Sequence, residues 1–209
     1  DDDCAFGVAC EEGHQEIAEW LRTICPQGEQ SAMLHADNDY AFCLACYKGQ
    51  LDLAKWLWSI CSEQEHSSML HADDDYAFFW ACGKGHIEAA KWLWGLCKTS
   101  KEQTAMLHAQ DRGAFRLACE NGHLEIAKWL WVLCQTPEEK RVMLHAGQDW
   151  AFRWACQNGH HELAKWLWGI CPQGEQSAML HACDDYALSL ACQKGHIEIA
   201  KWLWKVCPD

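Results

Sequence analysis

The side chains that could do chemistry in this chain are its cysteines and histidines, 15 and 12 of them in 209 residues. Both recur at a fixed interval. Cys10, Cys46, Cys82, Cys119, Cys156 and Cys192 form one series, and Cys25, Cys61, Cys97, Cys134, Cys171 and Cys207 another. Histidine follows glycine at His14, His86, His123, His160 and His196, and closes the triplet Met-Leu-His at His35, His71, His108, His145 and His181. Thiolate and imidazole together suggest zinc, which needs about four ligands within ~2.0–2.3 Å of one point. No H-x3-H pair occurs, and the second copy has Gln50 in the Gly-His position, a hydrogen-bonding group but a poor zinc ligand. The two cysteine series fall near the C-terminal ends of successive antiparallel helices, hence at opposite ends of each unit. The pattern predicts structural histidines, buried small thiols, and no metal or other cofactor.

Other reactive chemistry finds little support. Packed helices lie ~8–10 Å apart, whereas a disulfide needs Cα atoms within ~7 Å, so equivalent cysteines cannot form a ladder of cross-links. Periodic thiols in odd number fit a reducing cytoplasm. Cys4, Cys43 and Cys183 stand outside both series and are the candidates for redox or linkage chemistry. The motifs G-x-S-x-G, P-loop and H-E-x-x-H are absent, and "HHELA" at 160–164 lacks the second zinc histidine. No enzymatic activity is expected. The formal net charge of −13 lacks the basic footprint that nucleic acid binding requires. No apolar run is long enough to cross a membrane. The opening "DDDC" has no positive, apolar leader, and a cytoplasmic location is expected.

The elements that must position these residues are repeated. The string "AKWLW" returns at 54–58, 90–94, 127–131, 164–168 and 200–204, within units of 36 or 37 residues at 1–36, 37–72, 73–109, 110–146, 147–182 and 183–209. Each unit predicts two helices. The first is typified by "YAFCLACYK" at 40–48, with aspartates at its N-terminus, and ends on a glycine that recurs at 13, 49, 85, 122, 159 and 195. The second follows at once, as in "LDLAKWLWSIC" at 51–61. With ~100° per residue, Leu53, Leu57 and Ile60 share one direction, Trp56 lies ~60° to one side and Trp58 ~140° to the other. An apolar arc that wide needs a neighbour on each side, which a stack of like units supplies. Arg22 stands where later units have Trp58, Trp94, Trp131, Trp168 and Trp204. It is expected to be solvent-exposed, as the polar outer face of a first unit with no predecessor, while those of the tryptophans that lie between units are buried.

Lines such as "GAFRLACENGHLEIAKWLWVLC" at 113–134 resemble the ankyrin repeat, with "LAC", "NGH" and "LEIAKWL" in register through nearly the whole chain. The chain departs from that family in lacking Thr-Pro, replaced by pairs such as Tyr-Ala at 76–77, and in exceeding the usual 33 residues. Segments such as "PQGEQSAMLHA" (26–36 and 172–182) stand where the family carries its hairpin, so a loop with a short helical turn is expected there. The resemblance implies an all-α, ankyrin-like helical-repeat solenoid of six helix–turn–helix units with lengthened inter-repeat loops, forming one domain over 1–209. It also implies that the Gly-His histidine begins the second helix and bonds nearby backbone, and that the array is a non-catalytic scaffold binding a protein partner on its concave face. Trp-rich, lengthened arrays of this kind resemble those of intracellular bacteria and large viruses, which would place the chain in a host cytosol.

Positions that vary without rule are not needed for stacking and mark the candidate partner surface. One follows the helix-one aromatic and holds Phe79, Arg116 and Arg153; an unpaired arginine is costly to bury, so this position is expected on the concave face. A second is the pair before the glycine, with Tyr47–Lys48, Lys84, Glu120–Asn121 and Gln157–Asn158, which matches the positions that face partners in ankyrin-like arrays. The unit starts add Asp39, Asp75, Arg112 and Asp149, with Tyr40, Tyr76 and Trp150 beside them. Aromatic and arginine side chains are the usual hot spots. The alternative is a structural element that self-associates through its C-terminal repeat.

Overall fold

The computed structural model describes residues 2–207, and the side chains of all of these except residues 2–4 and 184. It is all-α, with no strand among the described residues, and divides into two compact units, Asp1–Ala109 and Gln110–Asp209. In the first unit the helix pairs are Asp2–Glu11 with Gln15–Ile24, Ala36–Tyr47 with Leu51–Ile60, and Ala72–Gly83 with Ile87–Leu96. In the second unit, Leu124–Leu133, His161–Ile170 and Ile197–Val206 are the second helices of their pairs, and Ala182–Gln193 is one of the first helices. The inter-repeat segments are themselves helical: Gln30–Leu34, His66–Leu70, Gln173–Leu180, and the leading parts of Ser100–Glu120 and Pro137–Gln157. The first five repeats thus each carry a third short helix where a loop with a short helical turn is expected. Their Met-Leu pairs explain why they fold: Met33, Leu34, Met69, Leu70, Met143, Leu144, Met179 and Leu180 are all buried.

The second helix packs as its periodicity demands. Leu53, Ala54 and Leu57 are buried, as are their equivalents Leu163, Ala164 and Leu167. The two tryptophans of each helix serve different neighbours. Phe42 of one repeat meets its own Trp58 at 6.1 Å and the following repeat's Trp92 at 6.1 Å, and those two indoles meet edge to face at 6.2 Å. The same triad recurs as Phe115, Trp131 and Trp166, and as Phe152, Trp168 and Trp202, with centroids 6.1–6.5 Å apart. Tilted and edge-to-face rings at this separation suit the aromatic quadrupole.

This triad corrects the expected role of Arg22. The Trp58 position faces the repeat that follows, and it is the Trp56 position that faces the repeat before. Arg22 is accordingly half-buried on the side of the second repeat, where Phe6 meets Trp56 at 6.4 Å. The exposed indole of the first repeat is Trp20, at 58 %. Trp58, Trp94, Trp131 and Trp168 are half-buried rather than sealed, and Trp204 is 75 % exposed.

The aspartates before each first helix form a feature that periodicity could not show. Asp37, Asn38 and Asp39 all have positive φ (51°, 57° and 61°), as do Asp73, Asp74 and Asp75, Gln110, Asp111 and Arg112, and Gly147, Gln148 and Asp149. The chain makes a single left-handed turn between the third helix of one repeat and the first helix of the next. Such backbone costs roughly 1–2 kcal/mol per ordinary residue, and Asp, Asn and Gly tolerate it best. The last aspartate of the turn is buried and bonded to the histidine four residues earlier: His71 Nδ1 to Asp75 Oδ1 is 2.6 Å, His145 Nδ1 to Asp149 Oδ1 is 2.5 Å, and His35 pairs with Asp39 in the same way. His35, His71 and His145 hold these three turns closed.

The recurrent glycine has two causes. Gly49 has φ of 73°, as a helix-terminating residue should. A Cβ there would also lie 2.4 Å from the imidazole of His86 in the next repeat, and one on Gly122 would lie 2.5 Å from that of His160. The Gly-His histidine therefore seats on the preceding repeat's glycine. His160 Nε2 bonds the carbonyl of Glu120 at 2.9 Å, which is the expected backbone contact made between repeats.

Candidate partner-binding surface

The exposed variable positions lie along the first helices and the turns before them, and each unit presents a different surface. In the first unit, Tyr40, Tyr47, Tyr76 and Trp80 line a cleft of about 310 Å³ together with Glu11, Cys43 and Leu44. Trp80 is its pivot. Tyr47 meets it at 5.2 Å, Tyr76 at 5.8 Å and Phe79 at 5.2 Å. Tyr76 and Phe79 also stack, at 6.3 Å. The Lys84 ammonium lies 4.8 Å from the Tyr47 ring centroid and 5.4 Å from that of Trp80, within cation–π range. Tyr40 and Lys48 are exposed at the margin.

Trp80 was not among the residues that sequence variation picked out. It occupies a position held by Leu44, Leu117 and Leu190 in other repeats, so it read as scaffold. The available signal was the exchange of leucine for tryptophan at Trp80 and again at Trp154.

In the second unit the side chains hold one another. Arg116 donates to Asp111 Oδ2 at 3.0 Å and lies 5.2 Å over the Trp150 ring, which stacks on Trp154 at 5.0 Å. Trp150 Nε1 donates to Glu120 at 3.3 Å, and Asn158 donates to the Glu120 carbonyl at 2.8 Å. Arg112 and Gln157 are half-buried and Asn121 is exposed. Arg153 departs from its expected exposure. Only 8 % exposed, it donates to the carbonyls of Gln148 at 2.8 Å and Gly147 at 2.9 Å and covers the Tyr186 ring at 5.5 Å. The left-handed turn aims two carbonyls at its guanidinium, and this pairing makes the burial tolerable. Asp39, Asp75 and Asp149, expected at the partner surface, are likewise buried beneath their histidines.

The thiols of Cys10, Cys43, Cys46, Cys61, Cys82, Cys97, Cys119, Cys134, Cys156, Cys171, Cys183 and Cys192 are free. Cys10, Cys46, Cys82, Cys119 and Cys156 are buried, whereas Cys192 is exposed; in the other series Cys61, Cys134 and Cys171 are buried and Cys25, Cys97 and Cys207 half-buried. Burial pushes Cys10 and Cys43 up to about 12 and drives Cys46, Cys82, Cys119 and Cys156 well above the ordinary thiol value. Of the irregular cysteines, Cys43 is buried and Cys183 exposed, and the Cys4 side chain lies outside the described residues. Cys43 and Cys46 stand at C-x2-C spacing, and both thiols are buried along a single helix.

The expectation that no histidine and cysteine converge is corrected at one place. The thiol of Cys61 lies 3.8 Å from His35 Nε2 and 3.9 Å from Glu65 Oε2, and the three residues form a compact His-Cys-Glu group. Their sequence separation hides this, because the histidine belongs to the repeat before. Hydrogen bonds from the Ser62 and Ser31 side chains hold the Glu65 carboxyl low, at about 2.

A family model for ankyrin repeats, in three copies, matches residues 6–104, 42–138 and 115–207. No curated protein matches the chain. Among solved structures, an ankyrin repeat family protein from Legionella pneumophila is similar in fold, with a TM-score of 0.56 at 17 % identity over 99 % of this chain and 72 % of that one. The family model spans most of the sequence, the fold is a helical repeat, and the glycine-histidine seat recurs between repeats: the chain belongs to the ankyrin repeat family.

Proposed function

We propose that the chain is a non-catalytic protein-binding module, and that the aromatic cleft of its first unit is the primary contact surface. Ankyrin repeats are in general protein–protein interaction modules. The observation that supports the cleft is the grouping of Tyr40, Tyr47, Tyr76 and Trp80 with Glu11 around an open volume, with the Lys84 ammonium over the Tyr47 and Trp80 rings. Amphipathic rings with few rotatable bonds supply contact area at low entropic cost, and they dominate binding energies in most interfaces. A partner segment with an apolar or aromatic anchor and a flanking carboxylate for Lys84 fits this surface. The second unit carries its own candidate surface, made by Arg116, Trp150, Glu120, Asn121, Gln157 and Asn158, with Arg112 at its turn. Arg153 serves there as a support for the turn. Free thiols in periodic array favour a reducing compartment such as the cytoplasm.

Affinity capture by the full chain in a cell extract, followed by calorimetry on the isolated partner, tests the reading. Tyr76→Ala should weaken binding by about 1–4 kcal/mol with little change in melting temperature. Equal affinity for the parent and for Tyr40→Ala, Tyr76→Ala and Lys84→Ala would remove the cleft from consideration. A second reading, head-to-tail self-association, is favoured by the exposure of Trp20 and Trp204, whose equivalents pair inside the repeats. A light-scattering mass that stays monomeric across a concentration series would remove it.

A further inference from the structure

We propose that His35, Cys61 and Glu65 form a binding site for a zinc-class divalent transition metal ion at the junction of two repeats in the first unit. The site shares no residue with the aromatic cleft. The donor set is mixed nitrogen, sulfur and oxygen, the combination that a borderline-soft ion prefers. The donors lie close enough together to converge on one ion, the two Glu65 oxygens each approaching a different partner. Cys61 Sγ lies 3.8 Å from His35 Nε2, His35 Nε2 lies 3.5 Å from Glu65 Oε1, and Cys61 Sγ lies 3.9 Å from Glu65 Oε2. Tetrahedral zinc with its usual bond lengths sets such atoms about 3.3–3.8 Å apart. With one atom taken from each residue the three donors lie within 4.8 Å of one another, so a turn of the Glu65 carboxylate that brings one oxygen toward both partners closes the group on an ion.

The surroundings orient each donor. Asp39 holds Nδ1 of His35, which fixes the imidazole and leaves Nε2 toward the thiol and the carboxylate. This carboxylate–histidine arrangement is the usual support of a metal-bound imidazole. Glu65 is tied by Ser62 N at 3.1 Å, Ser62 Oγ at 2.6 Å and Ser31 Oγ at 2.8 Å. Cys61 is 7 % exposed while His35 and Glu65 remain open to solvent, so an ion can enter and water can complete the fourth position. On binding, a sulfur–metal bond replaces the S–H bond and the proton leaves to solvent.

The chain contains its own control. His145, Cys171 and Glu175 repeat the pattern in the second unit, but there Arg141 Nε donates to Glu175 at 2.9 Å and His145 Nε2 contacts the same carboxylate at 2.8 Å. The guanidinium neutralises the carboxylate and the imidazole closes the gap. Cys97 and Cys134 instead face methionine sulfur, Met106 at 3.9 Å and Met143 at 3.7 Å. Among the described residues the first-unit group is the one that brings three donors together.

Cobalt(II) titration of the reduced, chelator-treated 209-residue chain tests the proposal. One equivalent should produce a thiolate-to-cobalt charge-transfer band and the intense visible bands of a tetrahedral site, both displaced by zinc. Cys61→Ala should abolish the charge-transfer band. Glu65→Gln, which leaves the fold's apolar contacts intact, should weaken cobalt binding at least about 100-fold, and Asp39→Asn, at a positioning residue, by about 10–100-fold. Cys171→Ala should leave the titration unchanged. Zinc should raise the melting midpoint of the parent and not that of Glu65→Gln. No band at one equivalent, a band that survives Cys61→Ala, or equal loss in Cys171→Ala would overturn the assignment. If Cys61→Ala fails to fold, Glu65→Gln decides alone: parental affinity in that variant would overturn it.

Discussion

Alkaline pH should destabilise this protein through its buried thiols. Cys46, Cys82, Cys119 and Cys156 are wholly buried at equivalent places in successive repeats, and burial holds each one neutral far above the ordinary value near 9. In the unfolded chain they ionise near 9. Their folded values are raised, so the stability they carry is complete below pH 9 and is lost as pH rises above it toward the folded values. Each neutral buried thiol removes up to about 1.4 kcal/mol per pH unit, and about 1 kcal/mol between pH 9 and 10 where the unfolded thiol is still titrating, so the four together remove about 4 kcal/mol there. A domain's whole stability is about 5–15 kcal/mol, so the effect should be plain. The direct assay is proton release on denaturation in weakly buffered guanidinium at pH 10, where the four should contribute about 3–4 protons. Cys82→Ala and Cys119→Ala should each lower that release by about one proton, with tyrosines and lysines cancelling in the comparison. Variants that release as many protons as the parent would refute the reasoning, since the native thiols would then titrate as freely as unfolded ones.

Two further outcomes follow from the packing between repeats. Gly49→Ala and Gly195→Ala both strain a positive φ, but only the first places a Cβ against the next repeat's histidine; urea titration should show Gly49→Ala costing at least about 1 kcal/mol more, and equal losses would mean that the histidine seat carries no weight. Arg22→Trp should complete the aromatic triad with Phe6 and Trp56 and raise first-repeat stability by about 0.5–1.5 kcal/mol, read as slower amide exchange in Gln15–Ile24; faster exchange would contradict the assigned facing of that position.

The period, the helix pairs, the terminating glycines and the family were legible in the residues alone, because they depend on local periodicity and on a pattern that the chain repeats. Leu53 and Leu57 had to share a face, and a wide apolar arc had to meet neighbours on both sides. What the sequence could not fix was the direction of those neighbours. An angular argument gives the two flanks of a helix but not which flank meets the preceding repeat, and so Arg22 was expected to face solvent when it faces the second repeat. The aspartates were equally legible as helix-start residues. That three in a row would turn left-handed, and that the last would be buried under a histidine from the previous helix, depends on how two helices dock.

The candidate sites divide in the same way. Exposed tyrosines and lysines at variable positions were visible as a pattern, whereas Trp80 hid in a scaffold position and Arg153 was read as exposed because no local rule reveals two carbonyls turned toward its guanidinium. The His35, Cys61 and Glu65 group is the sharpest case. Its members belong to different repeats and match no motif spacing, and they meet because the third helix of one repeat lies beside the second helix of the next. Side-chain types and their period are properties of the chain. Which of them come within bonding distance is set by docking between repeats, and only the tertiary structure decides it.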